Sequence, residues 1–346
     1  MLKKLTIENF TVFAKAEFEF GALNVIHGVN GSGKTHLLKV VYGLIAGIRE
    51  AYEGATPGHI AQFPALVPNS HKFGRAVQAV FKCTAPDALV RKGSEQAEVA
   101  ARFDKGEMVD FSVRRGSSQS SIEMTQSFLS VQEPVFVPAY NVMYLRPSFA
   151  LHFNEYYTDF ERVTHDVVKQ LYAPRPKKLD ERMRVVEAAL CAETGIDVEI
   201  REDDVFVVKF AGVDAEAWMA AEGHRRLATL LTLIRNGKIA TGAQLFWDEP
   251  EANLNPALLK SVARALLDLA VAGVQVFIST HSLFLMREFD ILLEGQHSDV
   301  NARYFGLHPK KTGVHVMQGA KIDDAGPIAA LDENLEQSER FLAAGE

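Results

Sequence analysis

The stretch Gly28-Val29-Asn30-Gly31-Ser32-Gly33-Lys34-Thr35 constrains this 346-residue chain more than any other. It fits the pattern G-x-x-x-x-G-K-S/T at every specified position. The apolar run Leu23-Asn24-Val25-Ile26 precedes it, and Leu37, Leu38, Val41 and Leu44 follow at three- and four-residue spacing. The order is therefore strand, glycine-rich turn, helix. Glycines let the backbone turn tightly and bring its N–H groups toward phosphate oxygens. A helix starting near Gly33 aims its positive end at the same place. In such a loop Lys34 reaches the β- and γ-phosphates, and Thr35 gives a hydroxyl to Mg²⁺. Asn30, Gly31, Ser32, Gly33, Lys34, Thr35 and His36 are the expected ATP-binding residues, with Thr35 also a metal ligand.

A second site lies far along the chain. Gln244-Leu245-Phe246-Trp247 is an apolar strand that ends in Asp248-Glu249-Pro250-Glu251. A strand end beside the phosphate loop is where a P-loop enzyme holds its metal-binding aspartate. Asp248 is expected to bind Mg²⁺ through water, and Glu249 to polarise the attacking water as general base. Glu251 reads equally well as part of the site or as a surface carboxylate.

Around these two sites the chain divides by pattern. Residues 2–26 alternate as strands, and residues 51–75, rich in Gly, Pro, His and Asn, read as a loop. Alternating runs near Val77–Cys83, Glu98–Phe103 and Met108–Val113 predict an antiparallel set. Residues 148–195 are helical and charged, and are expected to form an inserted helical lobe. Val198–Ile200 and Val205–Phe210 predict a hairpin. A helix over His224–Ile234 is followed by strand, helix and strand over Gln244–Trp247, Ala257–Ala272 and Val274–Ser279, which predicts parallel βαβ units. Ala302–Leu307 and Val314–Met317 read as closing strands. The expected division is an N-terminal ATPase lobe over 1–147, the helical lobe over 148–195, a C-terminal ATPase lobe over 196–322 and a tail over 323–346.

Composition narrows the function. The net charge is −7, and Cys83 and Cys191 are far apart, with no Cys or His at metal-ligand spacing. Neither a zinc site nor a disulfide framework is expected. Glu8, Lys15, Glu17 and Glu19 interrupt any leader-like apolar region, and no stretch reaches the roughly 18 apolar residues of a membrane span. The expected compartment is the cytoplasm, away from membranes.

The order of motifs resembles the ABC-type ATPases, in the soluble branch that includes RecF-like, SMC-like and overcoming-lysogenization-defect-like proteins. Leu5-Thr6-Ile7-Glu8-Asn9-Phe10 with Gly28-Val29-Asn30-Gly31 is similar to the start of that branch. Asp248–Pro256 is similar to its Walker B and D-loop, which brings in Asn253. Ser279-Thr280-His281-Ser282 is similar to its switch-histidine segment, which implies that His281 senses the γ-phosphate. The resemblance implies an α/β P-loop NTPase fold: an ABC-type head with an N-terminal antiparallel β subdomain and an inserted helical lobe. It further implies a head-to-tail homodimer with ATP between the subunits and a signature motif facing the partner's nucleotide. Ala220-Ala221-Glu222-Gly223-His224-Arg225-Arg226 matches that motif best, with Gly223 kept. Ala221 stands where the family usually has serine, and Glu222 where it has glycine. Asn141 is the candidate for the glutamine-loop position, and Phe13 for an adenine contact.

The resulting expectation is an ATPase whose ATP-dependent dimerisation controls a protein effector, as in bacterial anti-phage systems. A RecF-like DNA clamp is less favoured, because Arg175, Lys177, Lys178, Arg182 and Arg184 are interleaved with Asp180, Glu181 and Glu187. A non-hydrolysing ATP-gated scaffold is the third reading, suggested by Ala221.

Overall fold

The computed structural model describes residues 1–52, 69–117, 120–124, 131–153 and 160–343. The chain opens with β1 (Leu2–Phe10) and β2 (Phe13–Glu19), an antiparallel pair whose alternation buries Leu5, Ile7 and Phe18. β1 also pairs with β4 (Gln96–Phe103), which leads to β5 (Met108–Arg114) and β6 (Ser120–Met124). These strands form a five-stranded antiparallel sheet in the order β2-β1-β4-β5-β6. The run Gly116–Ser121, whose Ser and Gly content reads as a connector, instead gives Ser120 and Ser121 to β6, and residues 118–119 lie outside the described residues.

A central six-stranded sheet carries the nucleotide motifs. Its order is β14-β13-β3-β12-β11-β7, from β3 (Leu23–His27), β7 (Val135–Val137), β11 (Gln244–Asp248), β12 (Gln275–Thr280), β13 (Ala302–Lys310) and β14 (Gly313–Gly319). All neighbours are parallel except β13 and β14. Parallel strands covered on both faces read as continuous apolar runs, and β3, β7, β11 and β12 are buried throughout.

Period-2 alternation sends successive side chains to different cores. Ile26, Phe136, Phe246, Phe277 and Phe305 face the antiparallel sheet and the helices α1 (Lys34–Ala51) and α2 (Ser70–Phe81). Phe136, Phe246 and Phe277 form a row, with centroid separations of 6.2 and 4.8 Å, and Tyr42 of α1 meets Phe136 and Phe246 edge-on. Leu245, Trp247, Val276 and Ile278 face the opposite core. There lie α3 (Pro147–Leu151), α4 (Arg162–Leu171), α5 (Glu181–Thr194), α6 (Glu222–Arg235), α7 (Pro256–Val271) and α8 (Leu283–Glu294). The helices of residues 148–195 bury Val167, Val168, Leu171, Met183, Val186 and Leu190 in this same core. Gln275 ties the two sheets together. It accepts from Leu2 N at 2.9 Å and donates to Leu2 O at 2.7 Å and Gly21 O at 3.0 Å.

The expected hairpin is present as β8 (Ile196–Ile200) and β9 (Phe206–Phe210), with β10 (Val213–Glu216) added at the edge beside β9. One expectation fails. The run Val77–Cys83 is not a strand; most of it lies in α2 and its C-cap Lys82. Phe73, Ala76, Val77 and Val80 are buried at helical spacing, Asn69 caps the start by accepting from Lys72 N, and Lys82 ends the helix in the left-handed region. The loop expected over 51–75 is accordingly shorter, and its residues 53–68 lie outside the described residues. The tail carries α9 (Ala329–Ala343). Among the described residues, no helix is long and apolar enough to cross a membrane.

Candidate nucleotide site

The parallel order β3-β12-β11 sets three loops side by side at the C-terminal ends of the strands, where open α/β sheets bind ligands. From β3 comes the phosphate loop. Gly28 has φ +151°, and a Cβ there would lie 2.6 Å from Leu307 O and 2.7 Å from Ser32 Oγ, so only glycine fits. Lys34 is buried, and its Nζ donates to Gly28 O at 2.8 Å and Val29 O at 3.2 Å. Burial pushes its pKa down, against the pull of Glu249, Asp248 and Glu251.

Thr35 Oγ1 donates to Asp248 Oδ2 at 2.9 Å, which joins the first turn of α1 to the end of β11. Ser279 of β12 donates from its hydroxyl to the other carboxylate oxygen. Burial raises the Asp248 pKa, and the bonds from Ser279 and Thr35 oppose that. Glu249 follows in the left-handed region at φ +49°, with its N–H donating to Ser279 O at 3.0 Å. His281 Nδ1 stands 3.5 Å from Glu249 Oε1 and 3.4 Å from Glu251 Oε1, with the side chain 57% exposed. Glu251 is not a surface carboxylate: it is buried, and its Oε1 accepts from Thr280 Oγ1 at 2.6 Å and His281 N at 2.9 Å. Five sequence-predicted residues, Lys34, Thr35, Asp248, Glu249 and His281, thus share one site.

The residues fit ATP with Mg²⁺. Ser32 Oγ is buried beneath the loop without a hydrogen-bond partner among the described residues. The hydroxyl of Thr35 and carboxylate of Asp248 are the hard oxygen donors Mg²⁺ prefers.

Residues 4–47 match a family model described as "AAA domain", and residues 171–287 match one described as "AAA domain, putative AbiEii toxin, Type IV TA system". The first span holds the phosphate loop; the second holds α6, Asp248, Glu249 and His281. Among solved structures, the chain is similar to an SMC head bound to the C-winged helix domain of ScpA, at 15% identity, covering 92% of this chain and 97% of that one, TM-score 0.59. It is similar to the Pyrococcus furiosus SMC head with an extended coiled coil, bound to the C-terminal domain of ScpA, at 12% identity, 98% and 99% coverage, TM-score 0.58. It is also similar to the SMC head domain from Thermotoga maritima, at 13% identity, 91% and 97% coverage, TM-score 0.52. The chain has the fold of an SMC head, the ABC-type P-loop ATPase fold. No curated protein sequence matches it significantly.

Within this fold the other expected residues fall differently. Gly223 sits in the first turn of α6 against the D-loop segment of its own chain. A Cβ there would meet Leu254 Cδ2 at 2.8 Å and Asn253 O at 3.1 Å. Asn253 itself adopts φ +61°. Ala221 is the N-cap of α6 and makes no side-chain capping bond, so backbone N–H groups alone are on offer there. His36 turns its ring onto Phe81, 5.8 Å between centroids. Phe13 cannot stack on adenine, because it is fully buried, edge-on to Phe18 and under Gly33. Asn141 is buried, and its Oδ1 accepts from Met143 N at 2.9 Å, capping its own turn.

Beside Thr35 and Asp248 opens a cavity of about 510 Å³, lined also by Lys39, Phe136, Tyr140 and Glu161. Lys39 Nζ lies 2.5 Å from Glu161 Oε1, so α1 is tied to the start of α4 one turn beyond Thr35. Sequence reasoning missed Lys39, Glu161 and Ser279, whose partners are distant in sequence. The one available signal was Lys39 on the otherwise apolar face of α1.

Proposed function

We propose that this chain binds ATP with Mg²⁺ at Gly28–Thr35 and hydrolyses it, with the site completed by a second copy of the chain. The observation that carries the reading is the Thr35–Asp248 bond at 2.9 Å, with Glu249 and His281 at the same strand ends. Thr35 and Asp248 would hold the metal, whose positive charge would offset the negative charge of the phosphates. Lys34 binds the terminal phosphates. Glu249 takes the proton of the attacking water, and His281, within 3.5 Å of the Glu249 carboxylate, orients it and meets the γ-phosphate. Asn30, Gly31, Gly33 and His36 contribute backbone N–H groups, and Ser32, whose own N–H donates to Val29 O at 3.1 Å, shapes the loop. Gly223 and Asn253 face the nucleotide of the partner subunit.

ATP-dependent dimerisation then controls a protein effector, with residues 148–195 as the partner-facing segment, where α5 exposes Val185. A defence setting is supported by the similarity of residues 171–287 to the family described as "AAA domain, putative AbiEii toxin, Type IV TA system". A protein partner is supported by the SMC heads bound to ScpA domains. DNA is the weaker partner: the Arg184 guanidinium pairs with Glu181, and Arg182 neighbours the capping carboxylate of Asp180. A non-hydrolysing scaffold is the second reading, favoured by the uncapped start of α6 at Ala221.

Phosphate release under Mg²⁺-ATP separates these. The enzyme reading expects turnover by the wild type and its loss in Glu249→Gln. Equal, background-level release from both proteins rejects it in favour of the scaffold.

A further inference from the structure

Arg226 lies one turn into α6, among the buried Leu227, Leu230 and Leu231, and is only 2% exposed. Burying a guanidinium costs free energy unless its five N–H donors find acceptors. One terminal nitrogen donates to Glu249 O at 3.1 Å. Nε and the other terminal nitrogen have no hydrogen-bond partner among the described residues. Burial lowers its pKa, and the carboxylates of Glu222, Glu251, Glu249 and Asp248 oppose that. An apolar side chain would fill this inward position at less cost, so the cation's presence calls for a reason in the loop it touches.

That loop holds the general base. Glu249 adopts φ +49°, a conformation that side chains other than glycine adopt at a cost and that surroundings must enforce. Its N–H is held by Ser279 O, and its carbonyl oxygen accepts from both Ala252 N at 3.1 Å and Arg226. The direction of the Glu249 carboxylate toward His281 follows from this turn. The start of α6 leans on the same loop at a second place, where Gly223 meets Asn253 and Leu254.

We propose that Arg226 is a positioning residue for hydrolysis, fixing the left-handed turn at Glu249 through its carbonyl oxygen. The helix whose first residues face the partner's nucleotide thereby also sets the general base of its own subunit. This rests on the ATPase reading above, but its structural half is testable without it.

Three proteins are compared: wild type, Arg226→Met with similar reach and no donors, and Arg226→Lys with a charged donor kept. Without nucleotide, hydrogen exchange at the Ala252 amide is expected to be about tenfold faster in Arg226→Met, since a charged hydrogen bond contributes at least that factor. With Mg²⁺-ATP, kcat is expected to fall about ten- to a hundredfold in Arg226→Met, the range for a misplaced catalytic group. The Kd for a fluorescent ATP analogue is expected to stay within about twofold. Arg226→Lys is expected to lie between wild type and Arg226→Met in exchange and in kcat. Should Arg226→Met fail to fold, Arg226→Gln, too short for the Glu249 carbonyl, takes its place. Unchanged exchange in the donor-less variant overturns the proposal. So does a loss of kcat matched by an equal loss of nucleotide affinity, or a lysine variant no better than the donor-less one. If the wild type shows no turnover while exchange changes as expected, the ATPase reading fails and the positioning of Glu249 by Arg226 stands.

Discussion

His27 ends β3 directly before Gly28 and is 2% exposed, with Nε2 lacking a hydrogen-bond partner among the described residues. Burial, then His308 with its ring 6.3 Å away, then Lys34, push its pKa from 6.5 down to about 4. The folded chain therefore keeps the ring neutral while the unfolded chain already takes up a proton near 6.5. The stability this contributes is fully present above the unfolded pKa and is lost as pH falls through 6.5 toward 4. The gap corresponds to roughly 3 kcal/mol in all, of which about 2 kcal/mol is lost between pH 7 and pH 5. Urea unfolding of wild type and His27→Gln at pH 7, 6 and 5 measures this directly, because every other titrating group is common to both. The stability difference, wild type minus variant, is expected to fall by about 2 kcal/mol on going to pH 5. Parallel pH curves would refute the reasoning, as would a wild type that gains on the variant in acid.

Two further outcomes follow from packing. Phe13→Leu is expected to lower stability by about 1 kcal/mol, seen in the urea midpoint, with ATP affinity unchanged, because the ring is core beneath the phosphate loop. A weakening of ATP binding with no loss of stability would return Phe13 to the nucleotide. Gly223→Ala places a methyl 2.8 Å from Leu254 Cδ2 and 3.1 Å from Asn253 O. It is expected to slow ATP turnover about tenfold by shifting the D-loop, with nucleotide affinity retained; wild-type turnover would contradict this.

Sequence carried the phosphate loop and the acidic strand end because each is a local pattern whose chemistry needs fixed spacing. The parallel core was legible for the same reason, since Leu245–Trp247 and Val276–Ile278 are apolar on both faces. Short alternating runs are ambiguous between strand and helix, and Val77–Cys83 falls in that class. The capping role of Asn69 decides it, and that signal was available. Glu251 read equally well as a site or a surface group because its partners, Thr280 and the His281 amide, lie about 30 residues away in sequence. Phe13 was a candidate by position in the motif order, and burial gives it structural work instead; Asn141 is buried and caps its own turn, with Nδ2 lacking a hydrogen-bond partner among the described residues. Arg226 read only as part of a signature-like helix start, since nothing local in its sequence points to the carbonyl of Glu249.

The central claim is that two copies close around ATP at this site. It is tested most directly by the solution mass of Glu249→Gln with Mg²⁺ and saturating ATP, since removing the base while keeping Asp248 traps whatever ATP assembles. The account predicts twice the chain's 38.2 kDa with ATP and the single-chain mass without it. A protein that binds ATP yet stays at the single-chain mass would contradict it.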